Sequence, residues 1–274
     1  MKSAPLLQGK QILITRAEDR CQTLKDAIAS KGGFLIAVST IDITDPEDVR
    51  PLVNVFNELN SFDIAVFVSP NAVDKTLWRW QWYKEKYHKD NVPFSGFLTK
   101  PMRVFAIGPS TQQRLHQHFI KVTGIPVCDF STEGLLELSS LQKVSGKRIV
   151  IFCGEGGRAD LAEILRHRGA QVTFAYVYRR RCPNLNLQVQ LTDWQKRGVD
   201  VVVGTSAESL YNLLEMVGEP GARWLKQLSW LVVSERIADL TKTLGFATKP
   251  IVAKSATNDA IFEALYSARE SGIL

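Results

Sequence analysis

Lys10 to Val38 reads KQILITRAEDRCQTLKDAIASKGGFLIAV, and Lys147 to Ala175 reads KRIVIFCGEGGRADLAEILRHRGAQVTFA. The two stretches start 137 residues apart in a chain of 274, half its length. Lys10 matches Lys147, Ile14 matches Ile151, Leu24 matches Leu161, Ile28 matches Leu165 and Gly32 matches Gly169. The same offset carries Ser69 onto Ser206, Val73 onto Leu210 and Leu77 onto Leu214 without a gap. This pattern reads as one duplicated unit and not as a many-repeat solenoid.

Each copy has α/β character. Ile12 to Ile14 and Ile149 to Phe152 are short runs rich in β-branched residues, suited to strands buried on both faces. Leu24 with Ile28, and Leu161 with Leu165, stand four apart on one helix face. Gly32 and Gly169 follow as helix stops. Further strands are expected at Phe34 to Val38, Val172 to Tyr178, Ile64 to Val68, Val201 to Val203, Arg103 to Ile107 and Trp230 to Val233. Strands alternating with helices predict parallel sheets covered on both faces. The turns Thr15-Arg16, Ser69-Pro70-Asn71, Gly108-Pro109-Ser110, Gly154 to Arg158, Thr205-Ser206 and Ser234-Glu235-Arg236 then fall at carboxyl ends of strands. Ligands bind at that edge in open parallel sheets, although small polar residues there also cap helices. Trp78 to Phe94 mixes aromatic and basic residues and is expected as an amphipathic helix, with base stacking as the rival reading. Glu219-Pro220-Gly221 reads as a turn.

Composition narrows the classes. Hydrophobic residues make up 45% and charged residues 23%, as in ordinary globular chains. The mean hydropathy is −0.06, and unbroken apolar runs such as Phe34 to Val38 reach only five residues. A spanning helix needs about 20, so no membrane segment is expected, and no secretory signal is visible at the start. Cys21, Cys128, Cys153 and Cys182 lie far apart and read as reduced thiols of a cytoplasmic protein. The four histidines lack metal spacing, so no metal site is expected. The net charge is +6 and the pI about 9.1. The basic residues are dispersed apart from Arg179-Arg180-Arg181. A multiply anionic small molecule therefore fits at least as well as nucleic acid.

Gly154-Glu155-Gly156-Gly157-Arg158-Ala159 matches G-x-G-x-x-A after a strand and before a helix, the setting of a dinucleotide fingerprint. The following strand ends in Tyr178-Arg179-Arg180-Arg181 where an acidic residue should bind the ribose. The turn is expected to hold an anion such as a carboxylate, with an NADP-dependent enzyme as one alternative and a non-catalytic bilobal sensor as another.

Taken together, ILITR, FVSPNAV, AIGPST, GEGGRADLAEILRHRGAQV, VYRR, VVVGTSAESL, VVSERIA and AKSATNDAIFEAL resemble the uroporphyrinogen-III synthase family, in order and spacing over nearly the whole chain. The SERIA form and the NDAI ending are most similar to bacterial members. The aromatic-basic stretch after Trp78 departs from the family, as does Val68, where threonine is frequent. The resemblance implies two similar α/β domains, each a doubly wound, flavodoxin-like parallel sheet covered by helices. It places residues 1–38 with 181–274 in one domain and 42–176 in the other, with 39–41 and 177–180 as a two-stranded linker. The implied reaction is cyclisation of hydroxymethylbilane, a linear tetrapyrrole, to uroporphyrinogen III. It needs neither cofactor nor metal.

The resemblance further implies a polycarboxylate tetrapyrrole held in a cleft edged by helix N-termini, with Tyr178 of the V-Y motif as general acid. Substrate contacts are expected from Thr15, Arg16, Ser69, Asn71, Ala72, Gly108, Ser110, Thr111, Gly154, Gly156, Arg158, Thr205, Ser206, Ser234 and Arg236. A cytoplasmic monomer is expected, without nucleic acid or membrane partners, in transient contact with the preceding enzyme of the pathway.

Overall fold

The computed structural model describes residues 6–87, 101–157 and 159–274. Elements run in the order β1 (Gln11–Ile14), α1 (Gln22–Ser30), β2 (Phe34–Ala37), β3 (Asp42–Thr44), α2 (Arg50–Asn57), β4 (Ile64–Phe67) and α3 (Pro70–Tyr87). Then follow β5 (Arg103–Ala106), α4 (Pro109–Gln117), α5 (Thr132–Leu136), α6 (Ser139–Gln142), β6 (Arg148–Gly154), α7 (Asp160–His167) and β7 (Gln171–Arg181). The chain continues through α8 (Gln188–Arg197), β8 (Val201–Gly204), α9 (Ala207–Met216), α10 (Gly218–Leu225) and β9 (Ser229–Val232). It ends with α11 (Glu235–Thr243), β10 (Ile251–Val252) and α12 (Asn258–Glu270).

Two compact units result, one of Met1–Asp42 with Arg181–Leu274 and the other of Ile43–Arg180. The chain passes between them twice, and the strands at the two passages, β3 and β7, are neighbours in one sheet. In the first unit the order is β10-β9-β8-β1-β2, every pair parallel. This is the flavodoxin-like order, with its reversal between β1 and β8. In the second unit the order is β3-β7-β6-β4-β5, with β7, β6, β4 and β5 parallel. Setting β6 against β1 makes the arrangements equivalent: β7 answers β2, β4 answers β8 and β5 answers β9. The 137-residue offset is therefore a topological one, and the second copy enters its own fold at a different strand.

Strand alternation assigns the layers. In β1, Leu13 packs with Leu191, Leu210 and Ile237 on one face. Ile12 and Ile14 pack with Leu24, Ile28 and Ile261 on the other. In β6, Val150 and Phe152 face Val73, Leu77 and Leu115, whereas Ile149 and Ile151 face Leu161, Leu165 and Leu135. Both faces are covered because, after the leading Gln11 and Arg148, the residues of these central strands carry no polar face for water. Phe67 and Phe152 stack with ring centroids 4.7 Å apart. Losing a buried side chain of this size to alanine costs about 3–5 kcal/mol.

A carboxylate clasp recurs at the amino ends of both sheets. Asp200 accepts from Lys10 Nζ at 2.7 Å and from the Gln11 N–H at 2.8 Å. Asp63 accepts from Lys147 Nζ at 3.2 Å and from the Arg148 N–H at 2.9 Å. Both aspartates obey the 137-residue offset. The Arg148 N–H, followed by Lys147, holds the Asp63 carboxyl below the usual carboxylate range.

The expected turn at Glu219-Pro220-Gly221 is instead the first part of α10. Proline is tolerated there because the first N–H groups of a helix have no intrahelical acceptor. Gly221 is buried and lets α10 lie close to Val217 and Leu191. The aromatic-basic stretch is helical as far as Tyr87, with Trp80 and Tyr83 buried and Trp78 and Tyr87 exposed. Its residues 88–94 lie outside the described residues.

Candidate functional site

In a doubly wound sheet, the connections leaving the two strands at the reversal point run to opposite faces, which opens a crevice at their carboxyl ends. Each unit has such a point, β4/β6 in one and β1/β8 in the other.

At β4/β6, three sequence-predicted residues meet. The β6–β7 register shifts between Cys153 and Gly154 and pairs Gly154 with Tyr178. A Cβ on Gly154 would lie 2.5 Å from Tyr178 Cε2 and 2.8 Å from its Cζ, so only glycine lets the ring seat there. The Glu155 N–H donates to the Tyr178 carbonyl at 2.8 Å and secures the second strand. Tyr178 is 5% exposed and belongs to the core cluster of Phe67, Val150 and Val177. Its hydroxyl lies 3.2 Å from Ser69 Oγ, which also accepts the Ala72 N–H at 3.0 Å. Ser69 stands directly before α3 and caps its amino end.

The glycine turn differs from a dinucleotide site in a physical way. The close approach that Gly154 permits is occupied by Tyr178, and α7 opens with Asp160 and Glu163 in its first turn. Those carboxylates sit where a pyrophosphate would meet the helix N-terminus. Gly156 is exposed, at φ +71. Arg158 lies outside the described residues. Glu155 Oε1 accepts the Glu47 N–H at 2.9 Å and Glu47 accepts from Arg179 at 3.1 Å, tying the turn to the strand end that follows Tyr178.

Asn71 and Ala72 lie in the first turn of α3, Asn71 half-buried and Ala72 buried. Gly108, Ser110 and Thr111 open α4. Gly108 is in the cap position with extended backbone and no side-chain cap bond forms, while Ser110 is exposed and Thr111 buried.

At β1/β8 the polar groups point into the molecule. Thr15 Oγ1 lies 3.1 Å from the Val203 carbonyl and 3.0 Å from Ser209 Oγ, and accepts the Thr205 N–H at 3.2 Å. Thr205 Oγ1 donates to the Thr15 carbonyl at 3.3 Å. Ser206 caps α9 by accepting the Ser209 N–H, and Ser209 Oγ accepts the Ser206 N–H, each at 3.0 Å. Ser209 is 1% exposed. Thr15, Thr205 and Ser206 are thus brought together, with their hydroxyls committed to one another and to the backbone. The sequence reading missed Ser209, although its place three residues after a capping serine is the signal for a reciprocal cap.

Arg16 donates from Nη1 to Asn258 Oδ1 at 2.8 Å and from Nη2 to the Ala256 carbonyl at 2.7 Å. Burial pushes its guanidinium below the usual arginine range. A cation held by neutral acceptors retains capacity for an external carboxylate. Asn258 was also unassigned from sequence, although it lies in the quoted AKSATND run. Ser234 begins α11 without a side-chain cap bond, and Arg236 is exposed in that helix's first turn.

Burial pushes the Cys153 thiol up to about 12 and raises Cys21 and Cys182 as well, so these sulfurs are poor nucleophiles. Among the described residues, no group of three or more His, Cys, Asp or Glu is placed to hold a metal ion, and no helix is long and apolar enough to cross a membrane.

A family model described as uroporphyrinogen-III synthase HemD matches residues 22–263. The chain is 39% identical over 259 residues to the uroporphyrinogen-III synthase of Salmonella typhimurium, covering 93% of this chain and 99% of that protein. It is 30% identical over 255 residues to the enzyme of that name from Escherichia coli, with the same coverage. Among solved structures, a mutant uroporphyrinogen III synthase from the extremely thermophilic bacterium Thermus thermophilus aligns with a TM-score of 0.59 at 15% identity, over 96% of this chain and 99% of that one. The uroporphyrinogen-III synthetase of Helicobacter pylori aligns with a TM-score of 0.58 at 14% identity, over 94% and 99%. These two likenesses concern the fold.

Proposed function

The chain belongs to the uroporphyrinogen-III synthase family, and we propose that Tyr178 is the residue that supplies the proton in its reaction. The enzyme is a cyclising lyase of tetrapyrrole biosynthesis. Hydroxymethylbilane loses its terminal hydroxyl as water, and an azafulvene forms on the first ring. The last ring attacks through its substituted position, passes through a spiro intermediate and emerges inverted in uroporphyrinogen III. The overall change is redox-neutral, so this chemistry calls for no nicotinamide or flavin.

The observation that carries the proposal is the seating of Tyr178 on Gly154 with its hydroxyl 3.2 Å from Ser69. A phenol O–H can donate its proton to a departing hydroxyl. Backbone pairing and a close-packed glycine fix its direction, as a proton donor requires. Arg16, Arg236 and Arg158 are proposed partners for the substrate's carboxylates, assisted by a net charge of +6. The remaining catalysis is proximity: folding the bilane so that its ends meet can contribute about 7–11 kcal/mol.

The test gives purified protein freshly generated hydroxymethylbilane and resolves the porphyrin isomers after oxidation. Wild-type protein should yield type III above the spontaneous type I background. Tyr178→Phe should lose about 10²-fold or less in kcat, the low end for general acid catalysis, because the leaving group departs readily. Type III should still dominate, since templating and not proton transfer sets the inversion. Full activity in Tyr178→Phe at unchanged Tm would remove the acid role.

A further inference from the structure

The bond between Ser69 and Tyr178 does more than hold a ring in place. Ser69 Oγ already accepts the Ala72 N–H at 3.0 Å, which engages one of its lone pairs. Its own O–H is left to serve the Tyr178 oxygen at 3.2 Å. A serine hydroxyl carries one proton and can accept twice, so this pair works with either oxygen as donor. The situation changes when Tyr178 gives up its proton. Its oxygen is then an anion inside the protein, and Ser69 is a donor within hydrogen-bond distance of it. Ala72 N–H polarises that serine from behind, at the amino end of an 18-residue helix. A helix amino end carries roughly half a positive charge.

We propose that Ser69 is a positioning residue for Tyr178, whose O–H supports the phenolate that forms when Tyr178 protonates the leaving hydroxyl. The inference rests on the acid role proposed for Tyr178. In the step, the Tyr178 O–H bond breaks and its proton joins the substrate hydroxyl. The carbon–oxygen bond of the hydroxymethyl group breaks, with its electron pair leaving on water. The pyrrole nitrogen lone pair fills the vacancy as the azafulvene. The phenolate accepts a donor bond from Ser69 until the proton lost on final ring closure returns to it. Ser69 thereby acts on turnover through another side chain and not by holding a substrate carboxylate. The donor is in place before the charge develops, which makes such a bond effective in catalysis.

The second copy shows that this use of the serine is particular to one unit. Ser206, its equivalent at the 137-residue offset, caps α9 in the same manner. Its backbone N–H donates the reciprocal bond to Ser209 Oγ, and the residue at the position of Tyr178 is Ile41.

A double-mutant cycle with steady-state kinetics decides the question. Ser69→Ala should lower kcat by about tenfold, the worth of one charge-assisted hydrogen bond, with KM unchanged. In the Tyr178→Phe background, the same substitution should lower kcat no further. Ser69→Thr keeps a hydroxyl and a cap and should restore kcat to near wild type. Should Ser69→Ala fold poorly, Ser69→Gly removes the hydroxyl at little cost in capping, and should give the same kinetic result. A rise in KM, an equal loss of kcat in both backgrounds, or wild-type kcat in Ser69→Gly would overturn the proposal. Failure of the underlying reading shows itself separately: no type III product from wild-type protein, or an unimpaired Tyr178→Phe.

Discussion

The two reversal points share a topology and a serine cap, yet they direct their polar groups differently. At β1/β8, Thr15, Thr205, Ser206 and Ser209 satisfy one another in a closed network. At β4/β6, the position of Thr15 is taken by Phe152 and that of Thr205 by Val68. Phe152 stacks on Phe67, the apolar core extends to the strand ends, and Ser69 and Tyr178 pair their hydroxyls there. A fully satisfied network rigidifies the structure around it. A tyrosine whose oxygen meets a single serine keeps capacity for a reactant. The two copies share the crevice, and the one with apolar residues at these strand ends is the one that carries the tyrosine.

The largest expected effect tests the seat of Tyr178. Gly154→Ala places a methyl 2.5 Å from the ring and should lower kcat by about 10²-fold, the cost of a misplacement near 1 Å. Gly204→Ala, at the end of β8, meets Trp230 Cζ3 at 3.2 Å. It should lower Tm while leaving kcat within about twofold of wild type. Equal losses of kcat in the two variants would erase the distinction between the crevices.

Next comes the closed network. Ser209→Ala strips partners from the buried Thr15 hydroxyl and the Ser206 N–H. Urea unfolding should show a loss of about 1–3 kcal/mol, with isomer-III formation little changed. A large kinetic defect at intact stability would mean that this crevice too has a chemical part.

A smaller effect separates the amino ends. The Asp63 carboxyl is depressed by the Arg148 N–H and then Lys147. Its contribution is present above the unfolded aspartate value near 4 and is lost as pH falls through the lower, folded value. Asp63→Asn should therefore lower Tm at pH 7 and flatten the Tm-versus-pH curve below about pH 4. A slope identical to wild type would show that the clasp does not stabilise.

The smallest effect concerns two helix ends. Gly245, at φ +75, closes α11, and Phe119, at φ +59 and 98% exposed, closes α4. Both ends bond alike: the residue after the stop donates back, Phe246 to Thr241 and Ile120 to Leu115. Phe119→Gly relieves a left-handed phenylalanine and should stabilise by about 0.5–1 kcal/mol. A fall in Tm would mean that the exposed ring makes contacts that offset the strain.

Strand and helix identities, the duplication and the parallel sheets were legible in the chain because buried strands and amphipathic helices write periodic apolar patterns that need no partner to be read. The Gly154 turn was legible as a close-approach glycine, but what approaches it was not. Glu219-Pro220-Gly221 misled because a proline-glycine pair reads as a turn wherever it stands. Only packing against Leu191 and Val217 shows that the pair opens a helix.

By itself, the sequence determined two α/β copies offset by 137 residues, and a set of small polar and glycine residues at strand ends. Tertiary structure decided what each of them does. Ser69 and Ser206 are the same residue in the same local motif, 137 positions apart. Both accept the N–H three residues on, from Ala72 and from Ser209, and Ser69 also meets Tyr178, from a strand 109 residues further along the chain. A cap is a local property, set by the residue and the helix that follows. The partner of its hydroxyl is set by which strand the sheet places alongside, and hydrogen bonds between residues far apart in the chain exist only once the sheet has formed.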